Sequence, residues 1–153
     1  MDREKYILRQ AMMADIPAII AIEQLCFADD SFSRRQFAYL ISHAKGWFYV
    51  IEHQDRIAGY ISLLTNARTH YLRIYSIAVH PENRGMGLGQ VLLDQALEIA
   101  GKNEIRIITL EVNVCNNAAI ILYKKNGFEP ISIKKNYYHD GADALYMQRH
   151  STE

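Results

Sequence analysis

Residues 71–112 read YLRIYSIAVHPENRGMGLGQVLLDQALEIAGKNEIRIITLEV. From Tyr71 to Val79 apolar residues recur with a period near two, the mark of a strand with one buried face. Three glycines then alternate with Met86 and Leu88, and Val91, Leu92, Ala96, Leu97 and Ile99 recur at helical spacing to about Ala100. IRIITLEV closes the stretch as a second β-branched strand. A strand, a helix and a strand in one sheet form a parallel, right-handed crossover. That places the glycine loop at the carboxyl end of the first strand, the crevice where open α/β sheets collect ligands.

Working outward, WFYVIE and IAGYISLLT, separated by a turn at 53–56, predict a hairpin that meets the Tyr71–Val79 strand antiparallel. Upstream, Tyr6–Gln10 reads as a first strand. Asp15 reads as the cap of a helix with Pro17 in its second position, and Ser33 as the cap of a shorter one carrying Phe37, Leu40 and Ile41. Downstream, NNAAIILYKKNG reads as a helix with Asn116 as cap and Gly127 as stop, before two strands, FEPISIKKN and ALYMQR, around the loop YYHDGAD. The predicted order is β-α-α-β-β-β-α-β-α-β-β, an α/β mixture.

The 153 residues suit one domain spanning 1–153, and no linker, repeat or low-complexity tract divides them. Hydrophobic residues are 50% and charged residues 22%, a globular balance. Seventeen basic residues equal seventeen acidic ones, so no global field favours nucleic acid or an anionic membrane. The charged start MDREKYILRQ lacks a signal peptide's apolar core, and no apolar run approaches the ~18 residues of a membrane span. A cytoplasmic protein is expected. Cys26 and Cys115, the two cysteines, lack metal-ligand spacing and read as reduced, buried side chains; no metal site is expected.

A glycine-rich turn that opens a helix receives anions through converging N–H groups and the helix dipole. Gly89 is followed by Gln90 and Val91, so the lysine and hydroxyl of a nucleoside-triphosphate loop are absent. GMGLGQ also has the wrong spacing for a dinucleotide fingerprint. RGMGLG, with Arg84, Gly87 and Gly89 at fixed positions, instead resembles the loop by which GCN5-related N-acetyltransferases hold the pyrophosphate of acetyl-CoA. IAVHPENRG, LEV at 110–112 and NNAAIILYKKNGF at 116–128 resemble further segments of that family in the same order. The resemblance spans nearly the whole chain, and within the family is nearest to enzymes that acetylate protein N-termini, including the ribosomal-protein-alanine N-acetyltransferases. It implies a mixed, largely antiparallel sheet of about seven strands with a central crossover and helices on both faces.

The resemblance also implies roles. The loop residues Arg84, Gly85, Met86, Gly87, Leu88 and Gly89 would hold the pyrophosphate. The backbone of Ile77, Ala78 and Val79 would pair with the pantetheine arm, which Asn116 would also face. Tyr123 matches the tyrosine beside the coenzyme A sulfur and is the candidate acid for the departing thiolate; as an alternative it is an aromatic core position. Glu111, in TLEV, matches the glutamate that serves as general base; as an alternative it is a strand charge paired with Arg106. An α-amine, with a pKa near ~7.7 to 8, needs only a modest push to lose its proton. His139 and His80 are the other candidate bases by residue type.

For the acceptor, Tyr137 and Tyr138 match paired aromatics that wall the channel for a substrate's first residues, and Phe27 and Phe32 bound a second wall. There Asp30, Ser31 and Phe32 stand where many relatives carry Pro-Trp. Asp29, Asp30, Asp140 and Asp143 could attract a cationic amine or be ordinary loop residues. The function implied is acetyl-CoA-dependent acetylation of a primary amine, foremost a protein N-terminus such as that of a ribosomal protein, by a monomer or homodimer without nucleic-acid or membrane partners. Small-amine acetylation and a non-catalytic acyl-CoA-binding module are the alternatives.

Overall fold

In the computed structural model, which describes residues 6–27, 32–43 and 45–151, the alternating segments pair as one seven-stranded sheet. Its strands are β1 (Tyr6–Gln10), β2 (Gly46–His53), β3 (Arg56–Thr65), β4 (Leu72–Val79), β5 (Ile107–Asn113), β6 (Glu129–Lys134) and β7 (Ala144–His150). Four helices join them: α1 (Ile16–Phe27), α2 (Arg34–Ser42), α3 (Leu88–Lys102) and α4 (Asn117–Lys125). The sheet order is β1-β2-β3-β4-β5-β7-β6, antiparallel throughout except where the α3 crossover sets β5 parallel to β4. The predicted order of helices and strands is the observed one.

Local chemistry explains most boundaries. The β2–β3 turn has two central residues, Gln54 and Asp55, with φ of 54° and 63°, the mirror-image turn that matches strand twist. Ser33 caps α2 reciprocally: its Oγ accepts the Gln36 N–H at 3.2 Å, and Gln36 Oε1 accepts the Ser33 N–H at 2.8 Å. Asn116 Oδ1 accepts the Ala119 N–H at the start of α4, and Gly127 follows its end with φ of 91°. Asp15 differs from its predicted role. A short 3-10 turn, Met13–Asp15, precedes α1, and the Asp15 carboxylate reaches back to the Met12 N–H at 2.7 Å while Arg9 pairs with it at 2.9 Å. A half-buried strand cation therefore claims this side chain from the helix it was expected to cap.

Apolar residues cover both faces of the sheet. On one, Leu92, Leu93 and Ala96 of α3 pack with Ile61, Leu63, Leu72, Ile74, Leu110 and Val112. On the other, Ile16, Ile19 and Ile22 of α1 and Phe37 of α2 pack with Phe48, Val50, Tyr60 and Ala78. Burying each such large side chain contributes roughly 1.5–3 kcal/mol before entropy is counted.

Two irregularities in β4 open the molecule. Ser62 pairs with Ser76 and Leu63 with Ile74, so Tyr75 is an extra residue, a β-bulge. The bulge changes the parity of the strand. Leu72 and Ile74 face the α3 layer before it, Ile77 and Val79 face that layer after it, and Ala78 joins the α1 layer. The second irregularity is the pairing with β5, which holds only at Leu72↔Ile108 and Arg73↔Thr109. Beyond Arg73 the strands part, and from Ile74 to Val79 the β5-side edge of β4 has no strand partner among the described residues.

Candidate functional site

The parting of β4 and β5 is filled by two adjoining cavities, with a third at the outer side. The largest, about 740 Å³, lies against the glycine loop and is lined by Ile77, Ala78, Val79, Arg84, Gly85, Gly87, Leu88, Gly89, Asn116 and Tyr123 among others. The second, about 500 Å³, runs between α1 and β5 past Glu23, Ser76, Glu111 and Tyr138. Cys26, Phe27, Ile77, Asn116, Ala119 and Tyr123 line both, so the two spaces meet over α4. The third, about 440 Å³, is bounded by Phe32, Arg73, Tyr75, Glu111, Tyr137, Tyr138 and His139.

The loop is shaped as its glycines require. Gly85 and Gly87 have φ of 84° and 80°, a left-handed conformation that side-chain-bearing residues resist, and a Cβ on either would meet open space. Val91 N–H bonds back to Gly87 O at 3.2 Å, so the amides ahead of it have no helical carbonyl to reach. Those amides, the α3 dipole and the Arg84 guanidinium give this end of the large cavity positive potential. The Met86 side chain packs against the α3-side core, with Sδ 3.8 Å from Asn83 Nδ2.

Tyr123 is 6% exposed and borders both cavities. Burial first, and Tyr138 second, push its hydroxyl above the ordinary tyrosine value, so it holds its proton at neutral pH. Glu111 lies on the opposite face of β5 from the core residues Leu110 and Val112, and its side chain is 8% exposed. Its partners are not Arg106. Oε1 accepts from Arg73 Nε at 3.2 Å and Nη2 at 3.0 Å, and Oε2 accepts from Lys134 Nζ at 2.7 Å. Arg73 Nη2 also donates to Tyr137 Oη at 3.2 Å, and its guanidinium lies 5.1 Å from the centre of the Tyr75 ring. These cations come from β4 and β6, strands whose pairing with β5 or β7 no sequence spacing announces.

The predicted aromatic walls divide between cavities. Tyr138 borders the second and third, Tyr137 the third, Phe27 the two inner ones, and Phe32 stacks on Tyr75 at 5.1 Å between the second and third. Asp29, Asp30 and Ser31 lie outside the described residues. His139 is at the third cavity, whereas His80 Nδ1 accepts the Glu82 N–H at 3.1 Å and supports the turn before Arg84. Cys115 is exposed, contrary to expectation, because it sits in the turn after β5. Cys26 is half-buried, 3.4 Å from Arg84 Nη2 and 3.6 Å from Val79 O; burial raises its thiol. Among the described residues no cluster of three His, Cys, Asp or Glu is placed to hold a metal ion, and no helix is long and apolar enough to cross a membrane.

One buried acid escaped the reading of the sequence. Glu23 is 2% exposed, at the wall of the second cavity. The signal was available: Glu23 stands four residues after Ile19 and seven after Ile16, on the apolar stripe of α1, where a charge is out of place.

Comparison with known proteins agrees with this architecture. Residues 16–128 match the model of the Acetyltransferase (GNAT) family. An N-alpha-acetyltransferase of Sulfurisphaera tokodaii is 31% identical over 161 aligned residues, covering 94% of this chain and 92% of that protein. The ribosomal-protein-S18-alanine N-acetyltransferase from Escherichia coli superposes with a TM-score of 0.85 at 28% identity, covering 97% of this chain and 96% of the other. Ard1 from Thermoplasma volcanium superposes with a TM-score of 0.87 at 28% identity, covering 97% and 99%. Fold, loop and relatives converge: the chain belongs to the GNAT family and is an N-acetyltransferase.

Proposed function

We propose that this enzyme transfers an acetyl group from acetyl-CoA to the N-terminal α-amine of a protein or peptide, as its relatives named for N-alpha and ribosomal-protein-alanine acetylation do. The observation that carries the reading is the meeting of the two inner cavities at Ile77, Asn116 and Tyr123, one built for an anion and the other bounded by acids and aromatics. Residues fit the donor. The amides of Gly85, Met86, Gly87, Leu88 and Gly89, with Arg84, would hold the pyrophosphate, and the edge at Ile77, Ala78 and Val79, which no described strand pairs, offers backbone groups to an extended arm lying beside Asn116. Acetyl-CoA would supply the activated thioester carbonyl.

The chain's own groups supply the proton steps. Tyr123 Oη holds a proton at the junction of the cavities, where it can be passed to a departing thiolate. On the acceptor side both oxygens of Glu111 are engaged by cations, so it takes an amine's proton through a water that displaces or shares the Arg73 or Lys134 contact. Phe27, Phe32, Tyr137 and Tyr138 wall the acceptor's path. A free α-amine suits so lightly equipped a site better than a lysine amine of pKa near ~10.4.

The test is release of free thiol from acetyl-CoA over peptides with varied first residues, peptides with a blocked N-terminus and an internal lysine, and small amines. Turnover confined to free peptide N-termini is expected. Turnover only on small amines, or acetyl-CoA binding without turnover on any amine, overturns the reading.

A further inference from the structure

Among the described residues Glu23 is a carboxyl without a charged partner. Asp15 is tied to Arg9, and Glu111 to Arg73 and Lys134, but the partners of Glu23 among the described residues are neutral donors from three other segments. The Tyr60 hydroxyl of β3 donates to Oε1, the Ser76 hydroxyl of β4 lies 3.5 Å from the same oxygen, and the Phe32 N–H ahead of α2 donates to Oε2 at 3.3 Å. Tyr60 Oη and Ser76 Oγ are themselves 3.1 Å apart. A leucine here would be cheaper to bury than a carboxyl.

We propose that Glu23 is a positioning residue for the acceptor: with Tyr60 and Ser76 it forms a buried hydrogen-bond chain that ties down the Phe32 wall and sets which way the Ser76 hydroxyl faces the acceptor cavity. This rests on the reading that the second cavity receives the acceptor. An ionised carboxylate only accepts, so it draws the Tyr60 and Ser76 protons inward and leaves a Ser76 lone pair toward the cavity. A protonated carboxyl must donate. Its proton goes to Tyr60 Oη, Tyr60 donates to Ser76 Oγ, and the Ser76 proton is turned outward. The ionised chain therefore offers an acceptor to an amine N–H, and the neutral chain offers a donor.

The change falls in a useful range. Burial pushes the Glu23 carboxyl up to about 7, against the opposing hydrogen bonds from Phe32 and Ser76. Among the described residues the groups facing it are few. Tyr60 comes from β3, Ser76 and the neighbouring Tyr75 from β4, and Cys26 from the next turn of α1, with Arg84 behind it. Across the cavity stand Glu111 from β5, Tyr123 from α4, and Tyr138 and Asp140 from the loop before β7. The contact from α2 is Phe37, which is apolar and meets Tyr60 edge-on.

The experiment is the pH dependence of KM and kcat for one peptide acceptor, between pH 6 and 8.5, in the unaltered enzyme and in Glu23→Gln and Ser76→Ala. Titration of the peptide amine is common to all three and divides out. The unaltered enzyme is expected to lose acceptor affinity below an inflection near pH 7, by about tenfold in KM. Both variants should lack that inflection and keep a raised, pH-independent KM, while acetyl-CoA affinity stays within a few-fold. Retention of the inflection in Ser76→Ala overturns the proposal, even if Glu23→Gln fails to fold. If no peptide is acetylated, the functional reading falls separately, and the chain is tested by carbon-13 NMR of the Glu23 carboxyl. A titration midpoint displaced upward in Ser76→Ala supports the coupling, and an unmoved one overturns it.

Discussion

Tyr123, Glu111 and Glu23 show what a single side chain owes to its surroundings. Tyr123 is legible as an aromatic at helical spacing after Ala119, yet its chemistry comes from burial at the junction of two cavities. Tyr123→Phe removes one hydroxyl and little packing. The expected result is a fall in kcat of about 10²-fold with acetyl-CoA affinity within a few-fold, and unchanged turnover in steady-state kinetics would remove Tyr123 from the mechanism. For Glu111, the alternation of TLEV puts its side chain opposite the core, but only the sheet order brings Arg73 and Lys134 to its two oxygens. Glu111→Gln should lower the rate most at acidic pH, where free amine is scarce, and a uniform loss across pH would shift the base to another group such as His139. Glu23 was missed because a charge within an apolar stripe is visible in sequence whereas its partners, 37 and 53 residues away, are not.

Among the elements, the loop between β4 and α3 was the most fully legible, because its properties are local. Glycines at positive φ, a helix start and an arginine within six residues suffice to describe an anion cradle. Gly87→Ala places a Cβ in open space but at φ of 80°, so its cost is conformational, about 1 kcal/mol. Urea unfolding should show that small loss, with acetyl-CoA bound almost as before. Gly87→Trp fills the cradle itself, and calorimetric titration should show acetyl-CoA binding abolished; retained affinity would sink the assignment of the pyrophosphate. β4 was legible only in part. Its alternation announced a strand, but a bulge inserts one residue without changing composition, so the change of parity at Tyr75 and the adjacent placing of Tyr75 and Ser76 at the second cavity could not be counted from the sequence.

At the scale of the whole molecule, two acids tie stability to pH in opposite directions and in separate windows. Arg9 first, then the Met12 N–H, hold Asp15 below the usual carboxylate range, so its contribution is present above its unfolded value of 3.8 and is lost as pH falls through its folded value. Glu23 is raised from 4.5 to about 7, so the folded state binds the proton more tightly than the unfolded chain. Its contribution is full below 4.5 and is lost as pH rises through about 7, a change of the order of 3 kcal/mol at most. Urea unfolding should therefore show stability falling between pH 4.5 and 7.5, and Glu23→Gln should flatten that slope. A slope unchanged in the variant would assign it to another group.

The sequence by itself determined the order of elements, the turn at Gln54 and Asp55, the caps at Ser33 and Asn116, and the anion loop, since each depends on residues within one or two turns of chain. The tertiary structure alone decided the sheet order that places β7 between β5 and β6, the parting of β4 from β5 beyond Arg73, and the partners of Glu23 and Glu111. These depend on which distant strands share an edge and where their pairing stops, a balance of packing on both faces of the sheet that no local pattern encodes.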